Sequence, residues 1–161
     1  MGLWDECVQR VAEEFEDVLW EPMLVDAVAM HLVRNPRRFG VLVASNLFGD
    51  ILTDLGAAIA GGMGLAASAN LDPERRSPSM FEPIHGSAPD IAGKGIANPM
   101  ATVWSVALML DHLGEGAWAN AVLEAVLQVL ERTGVRTPDL GGRNTTAEVT
   151  REIVAALRAA G

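Results

Sequence analysis

The sequence of 161 residues contains no tyrosine, a single cysteine and a single lysine. One cysteine, Cys7, excludes an intrachain disulfide framework and a cysteine-rich zinc module. Its apolar runs are all shorter than a membrane span, and its first residues lack the basic-then-apolar order of a signal peptide. We therefore expect a cytoplasmic protein without membrane contacts.

Charge and hydrophobicity limit the class of protein further. The 21 acidic residues outnumber the 12 basic ones, which gives a net charge of −9 and argues against a nucleic-acid-binding protein. Half of the residues are hydrophobic, so the chain is not a disordered tail. The length suits one ordinary domain or two small ones.

Strand and helix patterns alternate along the chain. Compact apolar runs predict strands at residues 18–25 and, as a fully buried strand, at residues 40–44. Short strands are expected within residues 62–76 and at 80–84. Apolar residues at helical spacing, with caps and glycine stops, predict helices at residues 3–15, 26–34, 46–60, 99–113, 117–133 and after the capping box of Thr145 and Glu148. Such alternation predicts α/β layers.

Two aspartates in the helix at 46–60 form the first candidate site. Asp50 and Asp54 are four residues apart, so both carboxylates lie on one helix face just beyond a predicted strand. A divalent cation that prefers oxygen ligands, Mg²⁺ or Mn²⁺, would offset their mutual repulsion. On spacing alone, an exposed helix with two solvated acids is the commoner explanation.

A glycine-rich loop at residues 82–95, EPIHGSAPDIAGKG, is the second candidate site. Its small residues allow a ligand to approach the backbone, and an acid in such a loop can accept hydrogen bonds from a ribose. The loop lacks the G-x-G-x-x-G pattern. On composition alone, an ordinary surface loop with a structural histidine at position 85 is favoured.

Taken together, the two motifs resemble a known family. SNLFGDILTD, then FEPIHGSAPDIAGKGIANPMAT and TPDLGG, resemble the β-decarboxylating dehydrogenases of isocitrate, 3-isopropylmalate, homoisocitrate and tartrate or D-malate. The tartrate/D-malate branch is most similar, followed by 3-isopropylmalate dehydrogenase. The resemblance implies the C-terminal half of the isocitrate/isopropylmalate dehydrogenase-like α/β/α fold. Residues 1–60 would belong to a smaller, dimer-forming domain and residues 61–161 to a larger cofactor-binding domain.

The resemblance also implies an activity and a set of site residues. The family oxidises a small 2-hydroxy acid with NAD(P) and removes its β-carboxylate through a metal-stabilised enolate. An acid at Asp90 matches the NAD-dependent pattern. The Mg²⁺ or Mn²⁺ ligands would be Asp26, from a second subunit, with Asp50 and Asp54. The NAD-binding residues would be Glu82, His85, Gly86, Ser87, Ala88, Asp90, Ile91 and Asn98.

The sequence departs from the family in its catalytic residues. The family uses a tyrosine and a lysine for proton transfer, but this chain has no tyrosine, and its only lysine, Lys94, lies in the cofactor loop. No catalytic residue is therefore assigned. The chain would supply half of an active site, or be a truncated non-catalytic homologue, or be a regulatory or interaction subunit that pairs with a full-length paralogue.

Association with another chain is expected in each of these cases. The candidates are a second copy, giving a homodimer, and a polypeptide that carries the N-terminal half. Helices at residues 27–34 and 49–60 would form the contact between copies, with Val28, Ile51 and Leu55 on their exposed faces.

Overall fold

The computed structural model describes residues 2–160. Its contacts divide the chain into two compact units, Met1–Leu52 and Thr53–Gly161. Within the described residues, no helix is long and apolar enough to cross a membrane. The helices are α1 (Gly2–Ala12), α2 (Val25–Arg34), α3 (Asn46–Ile59), α4 (Met100–His112), α5 (Gly116–Arg132) and α6 (Thr146–Ala160), and the strands are β1 (Ala67–Asn70) and β2 (Met80–Pro83).

The first unit has little buried surface. No residue of α1 is buried, although its apolar residues follow the expected helical spacing. Helix α2 packs on the short 3₁₀ turn Pro36–Arg38, and the rings of His31 and Phe39 meet edge to face at 6.5 Å. The expectation that Val28 is exposed was wrong: it is 6% exposed and is the buried residue of α2, so it faces protein rather than solvent.

Two predicted strands of the first unit are absent from the described residues. Residues 18–24 and 40–44 are irregular or extended, without strand pairing. Val41 and Val43 are 87% and 71% exposed, so the expectation of a buried strand at 40–44 was wrong for this chain. An apolar run forms a strand only where a neighbouring strand pairs with its backbone, and no described segment pairs with this one.

The second unit is built around α4, α5 and α6. Helix α5 packs against both of the others. Met100, Val126, Val129 and Val149 are fully buried and form the centre of the core, with Ala125, Ile153 and Ala156 around them. Removal of this much apolar surface from water is the main stabilising term of the unit.

A two-stranded sheet packs against α4. Strands β1 and β2 are antiparallel, with Ser68 opposite Glu82 and Ala69 opposite Phe81. Both strands contact α4, and Ile84 N–H donates to the Ala66 carbonyl at 3.0 Å just beyond the sheet. The predicted strands at 62–76 and 80–84 are thereby confirmed, and their pairing fixes where the glycine-rich loop leaves the sheet.

Candidate functional site

The predicted metal-binding aspartates lie on two helices, Asp26 on α2 and the pair Asp50 and Asp54 on α3. Asp50 and Asp54 are exposed on α3, one helical turn apart, and Asn46 Nδ2 donates to Asp50 Oδ2 at 3.4 Å. Asp26 is exposed in the first turn of α2, where its Oδ1 accepts from the Ala27 N–H at 2.8 Å. Within residues 2–160, no group of three or more acidic, histidine or cysteine side chains is close enough to hold a metal.

This arrangement fits a hard divalent cation in part. Two exposed carboxylates on one helical turn supply the oxygen ligands that Mg²⁺ and Mn²⁺ prefer. They leave most coordination positions to water or to other oxygen donors. The pair Asp50 and Asp54 can therefore contribute to a metal centre, but does not complete one.

The predicted cofactor loop connects β2 to α4 through a series of tight turns. Ile91 N–H donates to the Ala88 carbonyl and Lys94 N–H to the Ile91 carbonyl, both at 3.1 Å. Ala88 has a φ of 42°, in the left-handed region that non-glycine residues rarely adopt. These turns confirm the loop expected from the sequence.

Most of the predicted cofactor residues are accessible on this loop. The Asp90 carboxylate is exposed, and no described residue forms a hydrogen bond or an ion pair with it. His85 and Ile91 are partly buried, and His85 Nδ1 lies 3.0 Å from the Gly86 carbonyl oxygen. Because that oxygen can only accept, Nδ1 carries the proton. Glu82, Gly86, Ser87 and Ala88 are exposed.

Asn98 differs from the other predicted cofactor residues. The residue is only 9% exposed, and its side chain is hydrogen-bonded within the protein. Its Oδ1 accepts from the Met100 N–H at 3.0 Å, and its Nδ2 donates to Asp139 Oδ2 at 2.9 Å. The first contact satisfies a backbone donor in the first turn of α4. The Asn98 side chain therefore faces inward, which leaves its backbone for any contact with a ligand.

Three residues that support the loop were not predicted as part of the site. Asp139 lies in the 3₁₀ turn Pro138–Leu140 and binds Asn98. Gly64 lies close to the side chains of Asn98 and Asp139. Thr146, at the start of α6, donates from its hydroxyl to the Ala97 carbonyl and from its N–H to the Gly95 carbonyl. The only sequence signal was TPDLGG, which supported the resemblance without assigning Asp139 a role.

The chain belongs to the isocitrate/isopropylmalate dehydrogenase family, which matches residues 1–155. A probable tartrate dehydrogenase/decarboxylase of Agrobacterium vitis is 53% identical over 157 residues, which are 98% of this chain and 44% of that protein. The decarboxylating D-malate dehydrogenase of Escherichia coli is 51% identical over 154 residues, covering 92% of this chain and 42% of that protein.

A solved structure agrees with the family assignment. Isocitrate dehydrogenase from Methylococcus capsulatus superposes with a TM-score of 0.92 at 45% identity, covering 98% of this chain and 46% of that one. The predicted α/β fold of this family is confirmed. The chain spans less than half the length of each of these proteins.

Proposed function

We propose that this chain carries the cofactor loop and metal-binding aspartates of an NAD-dependent β-decarboxylating dehydrogenase. The substrate would be a small 2-hydroxy acid of the tartrate, D-malate or 3-isopropylmalate type. The observation that carries the proposal is the exposed Asp90 carboxylate, which no described residue engages, on a loop of a chain of this family.

The cofactor assignment depends on the charge of Asp90. A carboxylate accepts hydrogen bonds from both ribose hydroxyls of NAD and repels the 2′-phosphate of NADP. The exposed backbone at Gly86 and Ser87 allows the cofactor to approach closely. NAD is therefore the preferred dinucleotide.

The metal assignment rests on Asp50 and Asp54, with Asp26 of a second subunit as a third ligand. When bound, Mg²⁺ or Mn²⁺ supplies Lewis acidity toward oxygen atoms of the substrate. Three carboxylates bind such a cation more tightly than two, so metal affinity should increase when two copies associate.

Proton transfer requires residues that this chain does not contain. It has no tyrosine, and its single lysine, Lys94, is exposed on the cofactor loop. Turnover would therefore depend on a polypeptide that supplies the remaining residues of such an enzyme. Residues 1–60 would then belong to its smaller, dimer-forming domain and residues 61–161 to its larger cofactor-binding domain.

The cofactor assignment is tested by titration calorimetry with NAD and NADP. The wild-type chain should bind NAD weakly and NADP more weakly still. Asp90→Ala should bind NAD more weakly and should lose the preference for NAD over NADP, because the ribose hydroxyls lose their acceptor. Asp111→Ala, which removes an exposed carboxylate from α4, serves as the control. Equal NAD affinity in wild type and Asp90→Ala would remove the ribose assignment.

A further inference from the structure

The end of the cofactor loop that enters α4 is hydrogen-bonded to residues much later in the chain. Residues 95–98 hold three hydrogen bonds to segments some 40 to 50 positions later. Thr146 donates to the carbonyls of Gly95 and Ala97, and Asn98 donates to Asp139. The opposite end of the loop is held by the sheet, through the bond from Ile84 to Ala66.

We propose that Asp139 is a positioning residue for cofactor binding, acting through Asn98. This inference rests on the proposed function, because it assigns Asp139 a role in shaping the loop that would hold NAD. Asn98 is almost fully buried, so its amide needs a partner for each polar atom. Asp139 accepts from Nδ2, which orients Oδ1 toward the Met100 N–H. One carboxylate thus fixes the amide orientation and the entry of the loop into α4.

Gly64 packs closely against one side of this contact, whose Asp139 is exposed. A Cβ atom on Gly64 would lie 2.5 Å from Asp139 Oδ2, 2.8 Å from Asn98 Cβ and 2.9 Å from Asn98 Nδ2. Non-bonded heavy atoms do not approach so closely, so any side chain at position 64 would separate the pair or displace one of its members. A side chain at position 64 is therefore expected to disturb the bond between Asn98 and Asp139.

The consequence for binding is preorganisation of the loop. Between its two anchored ends the loop is largely exposed and held by its own turns. Release of the end at residues 95–98 would let the backbone sample more conformations, and the cofactor would have to order them on binding. Without Asp139, Asn98 Nδ2 would also lose its acceptor within the protein.

Two measurements on the full 161-residue chain test the proposal. Hydrogen exchange without cofactor reports the protection of the Met100 and Thr146 amides, which donate to Asn98 Oδ1 and to the Gly95 carbonyl, and calorimetry reports NAD affinity. In Asp139→Ala we expect faster exchange of the Met100 and Thr146 amides and roughly tenfold weaker NAD binding. Asp139→Asn keeps an acceptor oxygen, so its exchange rate and its NAD affinity should both lie close to the wild-type values. Gly64→Ala should reproduce the Asp139→Ala result from a different element, and Asp111→Asn should behave as wild type.

The outcomes separate this proposal from the proposed function. Unchanged exchange of the Met100 and Thr146 amides in both Asp139→Ala and Gly64→Ala overturns the positioning role, even if NAD affinity falls. Faster exchange with unchanged NAD affinity overturns it as well. If the wild-type chain binds no NAD, the proposed function fails, and exchange alone decides whether Asp139 orders the loop. Should Asp139→Ala not fold, Gly64→Ala and Asp139→Asn provide the same comparison.

Discussion

Gly142 is a residue whose identity is fixed by a backbone contact. A Cβ atom there would lie 1.9 Å from the carbonyl oxygen of Arg136, in the turn that Gly142 N–H closes on Thr137. We expect Gly142→Ala to lower the free energy of unfolding by about 1–3 kcal/mol, because the turn must open to admit the methyl group. Denaturant titration measures this change.

The matched control is Gly134→Ala. Gly134 is exposed, and a Cβ there would meet no atom within 4 Å, so its substitution should leave stability within about 0.5 kcal/mol. An equal loss of unfolding free energy in Gly142→Ala and Gly134→Ala would show that the contact with the Arg136 carbonyl does not cause the destabilisation.

Asp50 and Asp54 give the residue-scale prediction for metal binding. Replacing Asp50 with Asn removes one of two charged oxygen ligands from a single helix face, so Mn²⁺ affinity should fall. Asp54→Asn should have a similar effect, and Asp111→Asn should have none. Titration calorimetry with Mn²⁺ distinguishes these variants, and an unchanged affinity in Asp50→Asn would show that the metal assignment is wrong.

Sequence alone identified the accessible residues of the candidate loop but not its support. Asp90 and Ser87 lie within one contiguous motif, so their proximity follows from chain connectivity. Asn98 and Asp139 are 41 positions apart and meet only because α4, α5 and α6 fold into one core. Such a contact depends on helix packing, which no local spacing encodes.

At the scale of an element, helix α6 begins with the capping box expected from the sequence. Thr145 N–H donates to Glu148 Oε2 at 2.7 Å, and Glu148 N–H donates to Thr145 Oγ1 at 3.3 Å. The backbone hydrogen bond from Thr145, followed by the bond from its hydroxyl, lowers the pKa of Glu148 below its ordinary value. The ionised carboxylate is therefore the form that stabilises the helix start.

This pKa shift predicts a pH dependence of stability. Because the pKa of Glu148 is lower in the folded than in the unfolded chain, its contribution is full above the unfolded value and is lost as pH falls through the folded value. The difference in unfolding free energy between wild type and Glu148→Gln should be constant from about pH 6 to 7 and shrink in acid below about pH 4. A difference that grows toward low pH would contradict the capping role.

Helix ends were predictable because their signals are local, whereas strands were predictable only in part. Gly114, with a φ of 88°, ends α4 as expected, and Glu115 N–H donates to the Leu110 carbonyl in a Schellman arrangement. A strand needs a partner elsewhere in the chain. Residues 67–70 and 80–83 pair as antiparallel strands. Residues 40–44 have the apolar pattern of a strand, but no strand among the described residues pairs with them.

At the scale of the whole molecule, the exposed apolar side chains of the first unit predict self-association. A contiguous exposed apolar surface on a monomer commonly marks an interface. We expect a dimer at micromolar concentration in sedimentation velocity, and a shift toward monomer in Ile51→Lys, because a charge would be buried in the contact. The exposed apolar residues of this unit include Met30, Val33, Val41, Val43, Leu47 and Ile51.

A matched variant tests whether that effect is local. Trp118 is 63% exposed on α5 of the second unit, and Trp118→Lys adds the same charge to a different unit from Ile51. It should leave the sedimentation coefficient unchanged. A wild-type monomer, or equal dissociation in both variants, would exclude the first unit as the contact.

The final prediction concerns turnover by the 161-residue chain alone. We expect no measurable NADH formation from D-malate, tartrate or 3-isopropylmalate, because positioned acid and base groups typically supply about 10²–10⁴-fold of an enzymatic rate. The chain has no tyrosine, and Lys94 is exposed between Gly93 and Gly95, whose positive φ values of 76° and 67° shape a turn. The assay must include NAD and Mn²⁺, with a full-length D-malate dehydrogenase as positive control. Substantial activity that disappears in Lys94→Arg would identify Lys94 as a base and contradict the half-site interpretation, whereas activity retained in that variant would contradict the need for any lysine.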